Sequence, residues 1–97
     1  MRLSKSEIQI ITSSILKLDK NAYIYLFGSR VDDLKKGGDI DLLILSETLK
    51  ASDKLDLLID LKAKLGDQKL DLLIKNNSQY EADLFCQSLE LVLLEVK

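Results

Sequence analysis

The stretch that decides the fold runs from residue 23 to residue 45 and reads YIYLFGSRVDDLKKGGDIDLLIL. Its β-branched and aromatic beginning is typical of a buried strand, which we expect over residues 21–27. Gly28 and Ser29 end this strand abruptly, and Ser29 can cap a short helix over residues 30–36 that the glycine pair 37–38 then breaks. The local pattern is therefore a strand, a turn and a short helix.

A second strand is predicted over residues 39–45, where carboxylates occur only at the start of an apolar run. Side chains alternate between the two faces of a strand, so Asp39 and Asp41 share one face while Ile40 points into the core. Two adjacent anions repel each other unless a cation lies between them. Paired carboxylates are hard ligands suited to Mg²⁺ or Mn²⁺, so this strand is a candidate metal-binding element.

Helices are predicted on both sides of these strands. Ser4 and Glu7 have the spacing of a capping box, and apolar residues then recur at helical spacing over residues 5–19. Ser52 is expected to cap a further helix that Gly66 ends. Residues 69–75 are a candidate third strand.

A last helix is predicted from residue 79, because Ser78 and Glu81 have the spacing of a second capping box. That helix would place four residues on one face: Ala82, Phe85, Cys86 and Leu89. Cys86, the only cysteine, is interpreted as a core residue rather than a reactive thiol. Residues 91–96 either extend this helix or form a last strand, and periodicity does not decide between the two.

Asp71 begins the third strand in the same local context as Asp41. The word Asp-Leu-Leu-Ile starts at Asp41, Asp56 and Asp71, which we interpret as chance reuse, with Asp56 on a solvated helix face. If the second and third strands are neighbours, Asp71 projects beside Asp39 and Asp41 and completes three carboxylates around one or two metal ions. The alternative interpretation is that all three are strand-end aspartates facing water.

The composition excludes several classes of function. The 97 residues, 46% apolar and 31% charged, are typical of one globular domain spanning residues 1–97. The absence of histidine excludes Ser-His-Asp and Cys-His catalysis and every zinc site that needs an imidazole. A net charge of −2 without a basic stripe argues against direct nucleic-acid binding. No membrane-length apolar run or signal-peptide pattern occurs, so we expect a cytoplasmic protein without a membrane partner.

The turn after the first strand is a candidate phosphate-binding element. Gly28 has no side chain, so a ligand can approach its backbone closely, and Ser29 offers a hydroxyl and free N–H groups at a helix start. Arg30 follows directly, and its guanidinium could pair with phosphate oxygens or form a local salt bridge with Asp32 or Asp33.

In this order, Gly28-Ser29, nine intervening residues, Asp39-Ile40-Asp41 and a later Asp71 resemble the signature of the DNA polymerase β-type nucleotidyltransferase superfamily. Within it, the chain length and the Phe-Gly-Ser-Arg and Gly-Asp-Ile-Asp-Leu runs are similar to the minimal nucleotidyltransferases (MNT). The resemblance covers nearly the whole chain.

This resemblance implies an α/β (α+β) fold, with a small mixed sheet flanked by helices. It implies that Gly28 and Ser29 hold the nucleotide phosphates, with ATP as substrate, and Arg30 is predicted from its position after them to join in nucleotide binding. It also implies that Asp39 and Asp41 bind both metal ions, Mg²⁺ or Mn²⁺. Asp71 would then help to hold the catalytic ion and activate the incoming hydroxyl.

The resemblance further implies a partner. Minimal members are commonly encoded beside a helical HEPN protein, and the nucleotidyltransferase can act as an antitoxin that transfers AMP from ATP to a tyrosine of the HEPN toxin. Two alternatives remain: a non-catalytic antitoxin that masks the toxin by binding, and nucleotidyl transfer to a small molecule. A chain of 97 residues has little surface left for an acceptor. We therefore expect a second subunit or a macromolecular acceptor, which leaves a homo- or hetero-oligomer open.

Overall fold

The computed structural model describes residues 3–28, 39–66 and 68–94. The helices and strands follow one another in this order: α1 (Lys5–Leu18), β1 (Tyr23–Phe27), β2 (Ile40–Leu45), α2 (Ala51–Leu65), β3 (Leu70–Lys75), α3 (Asn77–Ala82), α4 (Leu84–Ser88) and β4 (Val92–Leu93). The helix predicted over residues 30–36 lies outside the described residues. The predicted helix 5–19 and the three predicted strands are confirmed, each within two residues at its ends.

The four strands form one mixed sheet in the order β3-β2-β1-β4. β1 is antiparallel to both β2 and β4, whereas β2 and β3 are parallel. A parallel pair needs a crossover, and α2 supplies it. For residues 91–94 the structure shows a strand, β4, beyond which the Leu94 N–H donates to the Ile24 carbonyl at 2.8 Å, while residues 95 and 96 of the predicted segment lie outside the described residues. The predicted mixed sheet flanked by helices is confirmed.

One face of the sheet is covered by the two long helices, α1 and α2. Their apolar sides pack against alternate residues of the strands, and this is the main core of the molecule. Its fully buried members include Ile11, Ile15, Leu26, Ile40, Leu42 and Leu61. Ile40 points into this core, as strand alternation predicted.

The opposite face is covered by α3 and α4, which are only 6 and 5 residues long. Phe27, Leu43 and Cys86 form a second, smaller buried cluster there, and Tyr25 and Tyr80 pack against it. The interpretation of Cys86 as a core residue is confirmed, since its side chain is fully buried. This thinly covered face also carries the odd-numbered residues of β2 and β3, among them the aspartates.

The start of α1 is as predicted, whereas the predicted start of α2 is wrong. Ser4 accepts a hydrogen bond from the Glu7 N–H at 3.1 Å, and the Glu7 carboxylate accepts from the Ser4 N–H at 3.0 Å. Ser52 does not cap α2, because the N-cap is Lys50 and the Asp53 carboxylate accepts from its N–H at 2.8 Å. The helix begins earlier because Ser46 Oγ accepts from two backbone N–H groups and tightens the preceding turn.

The predicted capping box from Ser78 to Glu81 is also wrong. Asn76 accepts from the Gln79 N–H at 2.8 Å, and the Gln79 side chain accepts from the Asn76 N–H at 2.9 Å, so α3 starts two residues earlier. The continuous helix predicted from residue 79 breaks at Asp83, whose carboxylate accepts from the first free N–H groups of α4. Of the four residues expected on one face, Cys86 is buried but Phe85 is 57% exposed.

Candidate active site

The register of the parallel strand pair brings two predicted site residues together. Asp41 of β2 lies directly opposite Asp71 of β3. Register partners in neighbouring strands project from the same face, and the two carboxyl groups are in hydrogen-bond contact. The adjacency of these strands, on which the three-carboxylate hypothesis depended, is therefore confirmed.

The electrostatics of this pair are unfavourable for two full negative charges. Burial raises the pKa of Asp41, and the neighbouring carboxyl group of Asp71 raises it further, as does the charge of Asp39. Lys69 acts in the opposite direction and only partly offsets these effects. A shared proton or a bound cation would relieve the repulsion.

Gly28 lies directly against the acidic pair. It follows Phe27, the β1 residue opposite Asp41, and its φ of +78° lies in the left-handed region that favours glycine. A Cβ at this position would overlap Asp41 Oδ2 and lie 3.2 Å from Asp41 Cγ. Glycine is thus required twice here, once for the backbone conformation and once for the space that the carboxylate occupies.

Asp39 precedes β2 and is paired differently from the other two aspartates. Its Oδ2 lies 4.0 Å from the Lys69 Nζ, and the side chains are 46% and 72% exposed, so this ion pair is weak. Sequence reasoning missed Lys69. The available signal was its position two residues before Asp71, which matches the position of Asp39 before Asp41 once the strands are paired.

Comparison with known families agrees with this geometry. The sequence profile of the family described as Polymerase beta, Nucleotidyltransferase matches residues 9–92. The chain belongs to this family. The matched region contains β1, β2 and β3 completely and ends at the first residue of β4, and it includes Gly28, Asp39, Asp41 and Asp71. No curated protein sequence matches the chain closely enough to count as a relative.

In this polymerase β-type nucleotidyltransferase, Asp41 and Asp71 are the contacting carboxylates that could hold a small divalent cation, because carboxylate oxygens are hard ligands. The missing side chain of Gly28 leaves the space that the Asp41 carboxylate occupies. Within residues 3–28, 39–66 and 68–94, no three acidic, histidine or cysteine side chains converge closely enough to enclose a metal ion. To bind an ion together with Asp41 and Asp71, the Asp39 carboxylate would therefore have to leave Lys69.

The remaining predictions for this nucleotidyltransferase concern the phosphate-binding turn, Asp56 and the membrane. Ser29 and Arg30, predicted to bind the nucleotide, lie outside the described residues. Asp56, predicted to face solvent, does so on α2, which supports the interpretation of its Asp-Leu-Leu-Ile word as chance reuse. None of the helices in the described part of the chain is both long and apolar enough to cross a membrane.

Proposed function

We propose that this protein is a Mg²⁺- or Mn²⁺-dependent nucleotidyltransferase that transfers AMP from ATP to a hydroxyl group of a partner protein. The observation that carries the proposal is the placement of Gly28 against the Asp41–Asp71 pair within a polymerase β-type nucleotidyltransferase domain. A structural role alone gives little reason to place two carboxylates in contact beside a glycine that cannot carry a side chain.

The chemistry needs only what this site offers. Phosphoryl transfer asks a protein mainly to position the reactants and to neutralise charge, so neither histidine nor cysteine is required. The acceptor oxygen forms a bond to the α-phosphorus of ATP, the bond from that phosphorus to the bridging oxygen breaks, and pyrophosphate leaves. A bound divalent ion would neutralise the negative charge on the phosphate oxygens.

Each residue of the site then has a separate role. Asp41 and Asp71 would hold the ion, and Asp39 would be a third ligand if it left Lys69. Asp71 is the more exposed of the contacting pair and is suited to accept the proton of the incoming hydroxyl. The absence of a side chain at Gly28 leaves room for the Asp41 carboxylate, and the Gly28 backbone, Ser29 and Arg30 would contact the phosphates.

The acceptor that we propose is a tyrosine of a helical HEPN-type toxin, which would make this protein an antitoxin. The resemblance to minimal nucleotidyltransferases supports this acceptor. The cover of the sheet face with the acidic pair also supports it, because the described helices over this face, α3 and α4, are only 6 and 5 residues long. A macromolecular acceptor would add surface beside the acidic pair.

The direct test is to incubate the protein with α-labelled ATP, Mg²⁺ and the product of the neighbouring gene. Label should appear on that protein, and Asp41→Asn should reduce the labelling rate by about a hundredfold or more, as loss of a charge-stabilising group does. Asp56→Asn is the matched control, because it removes an aspartate from the same sequence word on a solvated helix and should leave the rate unchanged.

The other outcomes identify the alternatives. If wild type and Asp41→Asn both neutralise the toxin while no label is transferred, the protein is a binding antitoxin. If label appears only on an added small-molecule hydroxyl, such as an aminoglycoside, the acceptor assignment is wrong and nucleotidyl transfer stands.

A further inference from the structure

The outer edge of β3 is a long strand edge without a partner among the described residues. β3 is six residues long and lies at the end of the sheet. The carbonyls of Lys69 and Lys75 accept from β2-side N–H groups at 2.9 Å each. Backbone groups alternate in direction along a strand, so those of Leu70, Leu72 and Ile74 point away from the sheet.

Such an edge usually needs protection against pairing with another chain. Proteins protect sheet edges with very short strands, proline, bulges or central charges. β4, at the other end of the sheet, is only two residues long and follows this rule. β3 lacks this protection, because it is six residues long, its centre from Leu72 to Ile74 is entirely apolar and it contains no proline.

We propose that a second copy of this chain occupies this edge, with the two β3 strands antiparallel about a two-fold axis at Leu73. In this register Leu72 lies opposite Ile74 of the partner subunit. Their outward N–H and C=O groups then exchange hydrogen bonds as a regular antiparallel pair. The result is one continuous sheet across both copies.

The charges of β3 are self-complementary in this register and in no neighbouring one. The two charged residues of β3, Asp71 and Lys75, are spaced equally on either side of Leu73. Asp71 therefore lies opposite Lys75 of the partner subunit on the same face, where directly opposed Cβ atoms are about 5 Å apart. Within one chain the Lys75 ammonium already pairs with Asp83 at 3.3 Å, so in the dimer it would bridge Asp83 of its own chain and Asp71 of the other copy. A shift of one or two residues would lose both ion pairs.

A second observation, on α2, points to the same partner. The Lys64 ammonium donates to Ser14 Oγ of α1 at 3.1 Å, which marks the side of α2 that faces α1. Leu55 is nine positions before Lys64, or about two and a half turns, and so lies on the opposite side with Ile59 one turn later. These side chains are 61% and 62% exposed, on the side of α2 that faces away from α1. Because α2 also packs against β3, we expect this side to lie towards the β3 edge.

Pairing of the β3 strands would cover this exposed stripe. Paired strands are about 4.8 Å apart, so helices lying over the inner side of each β3 would be about 10 Å apart, which is a normal helix packing distance. Leu55 and Ile59 would then pack against the same residues of the partner subunit. Backbone pairing, charge and apolar exposure thus favour one two-fold arrangement.

This inference goes beyond the proposed function and rests on the fold alone. It has one consequence for the acidic site, because the ammonium group of Lys75 from the partner subunit would lie beside Asp71. Each copy would thus add a cation to the acidic pair of the other.

The first test is the mass of the protein in solution by sedimentation equilibrium over a range of concentrations. The wild type should approach twice the chain mass of 11.0 kDa. Leu55→Glu combined with Ile59→Glu should weaken self-association by about a hundredfold, because it places carboxylates in an apolar contact. Leu84→Glu is the matched control and should leave the dimer unchanged, since Leu84 is 86% exposed on α4.

The second test maps the register by cross-linking in a Cys86→Ala background, which removes the only natural thiol. Leu73→Cys should form a disulfide-linked dimer under a mild oxidant, because the two-fold axis brings residue 73 of both copies together. Leu93→Cys, on the other edge strand, should not cross-link. Circular dichroism confirms that each variant is folded before it is compared.

Three results would overturn the proposal. They are a monomeric wild type at all concentrations, a dimer that is unaffected by the two glutamates on α2, and cross-linking through residue 93 instead of 73. The first of these results, a monomer at all concentrations, is also what we would expect if the β3 edge bound a strand of a different protein. None of these measurements uses ATP, so failure of the transfer assay leaves this inference standing, and the reverse also holds.

Discussion

Position 28 requires glycine for two reasons, its backbone conformation and the lack of space for a Cβ. Mutation can separate these two effects. Gly66 ends α2 with a similar φ of +82°, but a Cβ there would meet nothing within 4 Å. Gly28→Ala and Gly66→Ala should each destabilise the fold by about 1–3 kcal/mol through backbone strain. Only Gly28→Ala should also displace the Asp41 carboxylate.

The measurement is the free energy of unfolding in urea together with the nucleotidyl-transfer rate of the folded protein. Gly28→Ala should lower the rate at least about tenfold, and Gly66→Ala should leave it within twofold. Equal rates for both variants would contradict the assignment of Gly28 to the site.

Asp71→Asn should stabilise the metal-free protein while it abolishes transfer. Replacing one carboxylate of the contacting pair removes like-charge repulsion, and the gain should be about 0.5 kcal/mol at pH 7, because partial exposure to solvent screens the repulsion. Asp56→Asn should change stability by less than this. Thermal unfolding in the presence of a chelator measures both variants.

The same pair sets a pH dependence of opposite sign to that of most carboxylates. The pKa of Asp41 is raised above its ordinary 3.8, so the folded state binds this proton more tightly than the unfolded state. The contribution of Asp41 to stability is therefore most favourable below pH 4 and falls as the pH rises through the raised pKa. Asp71→Asn should flatten this fall, and an unchanged profile would contradict the coupling.

At the scale of single residues, the sequence predicted which face of β2 carries the aspartates but not that Lys69 pairs with Asp39. Strand alternation alone placed Asp39 and Asp41 on one face, since the period of two is a local property. The contact of Asp41 with Asp71 and the pairing of Asp39 with Lys69 depend on strand order. No local pattern encodes strand order.

At the scale of single elements, the helix starts show where local motifs compete. Asn76 and Gln79 form the capping box of α3, although Ser78 and Glu81 have the same spacing and stronger precedent in sequence. The earlier box prevails because β3 ends at Lys75, and the chain must satisfy its N–H groups directly after leaving the sheet.

This competition gives a contrast that mutation can test. Asn76→Ala removes the acceptor for the Gln79 N–H and should cost about 1 kcal/mol. Ser78 lies inside the first turn of α3 and is not its N-cap, so Ser78→Ala should change the free energy of unfolding by less than about 0.5 kcal/mol. Urea unfolding of both variants decides the matter. If Ser78→Ala lost more stability than Asn76→Ala, the capping box of Ser78 and Glu81 predicted from the sequence would be favoured instead.

At the scale of the whole molecule, the burial of the single thiol allows opening of the layer formed by α3 and α4 to be followed. Cys86 is fully buried, and burial, followed by the charge of Asp83, raises its pKa, so the native thiol is both inaccessible and protonated. Labelling by a thiol reagent should therefore proceed only through opening of the fold. It should slow when the protein is stabilised.

The control for this experiment is Leu84→Cys in the Cys86→Ala background, because position 84 is 86% exposed on the same helix. This thiol should react at the rate of a free cysteine in native buffer. If Cys86 itself reacted at that rate, the packing of α4 against Phe27 and Leu43 would be wrong.

The overall architecture was predictable in class and, in part, in topology. Hydrophobic patterning identified α1, α2 and the three main strands, and a strand-helix-strand segment favours a right-handed parallel crossover. The position of β4 beside β1 was not predictable. Its two residues carry no periodic signal and are held by pairing with β1, far away in the chain.

The unequal covering of the two sheet faces has a consequence for how the molecule opens. Helices as short as α3 and α4 do not persist in water by themselves, so they stay in place only through anchors such as Cys86 and the Lys75–Asp83 ion pair at 3.3 Å. We expect brief detachment of this segment to cost less than global unfolding and to leave the α1–α2 layer in place. Such opening would increase the exposure of the sheet face that carries Asp41 and Asp71, while the opposite face stays packed.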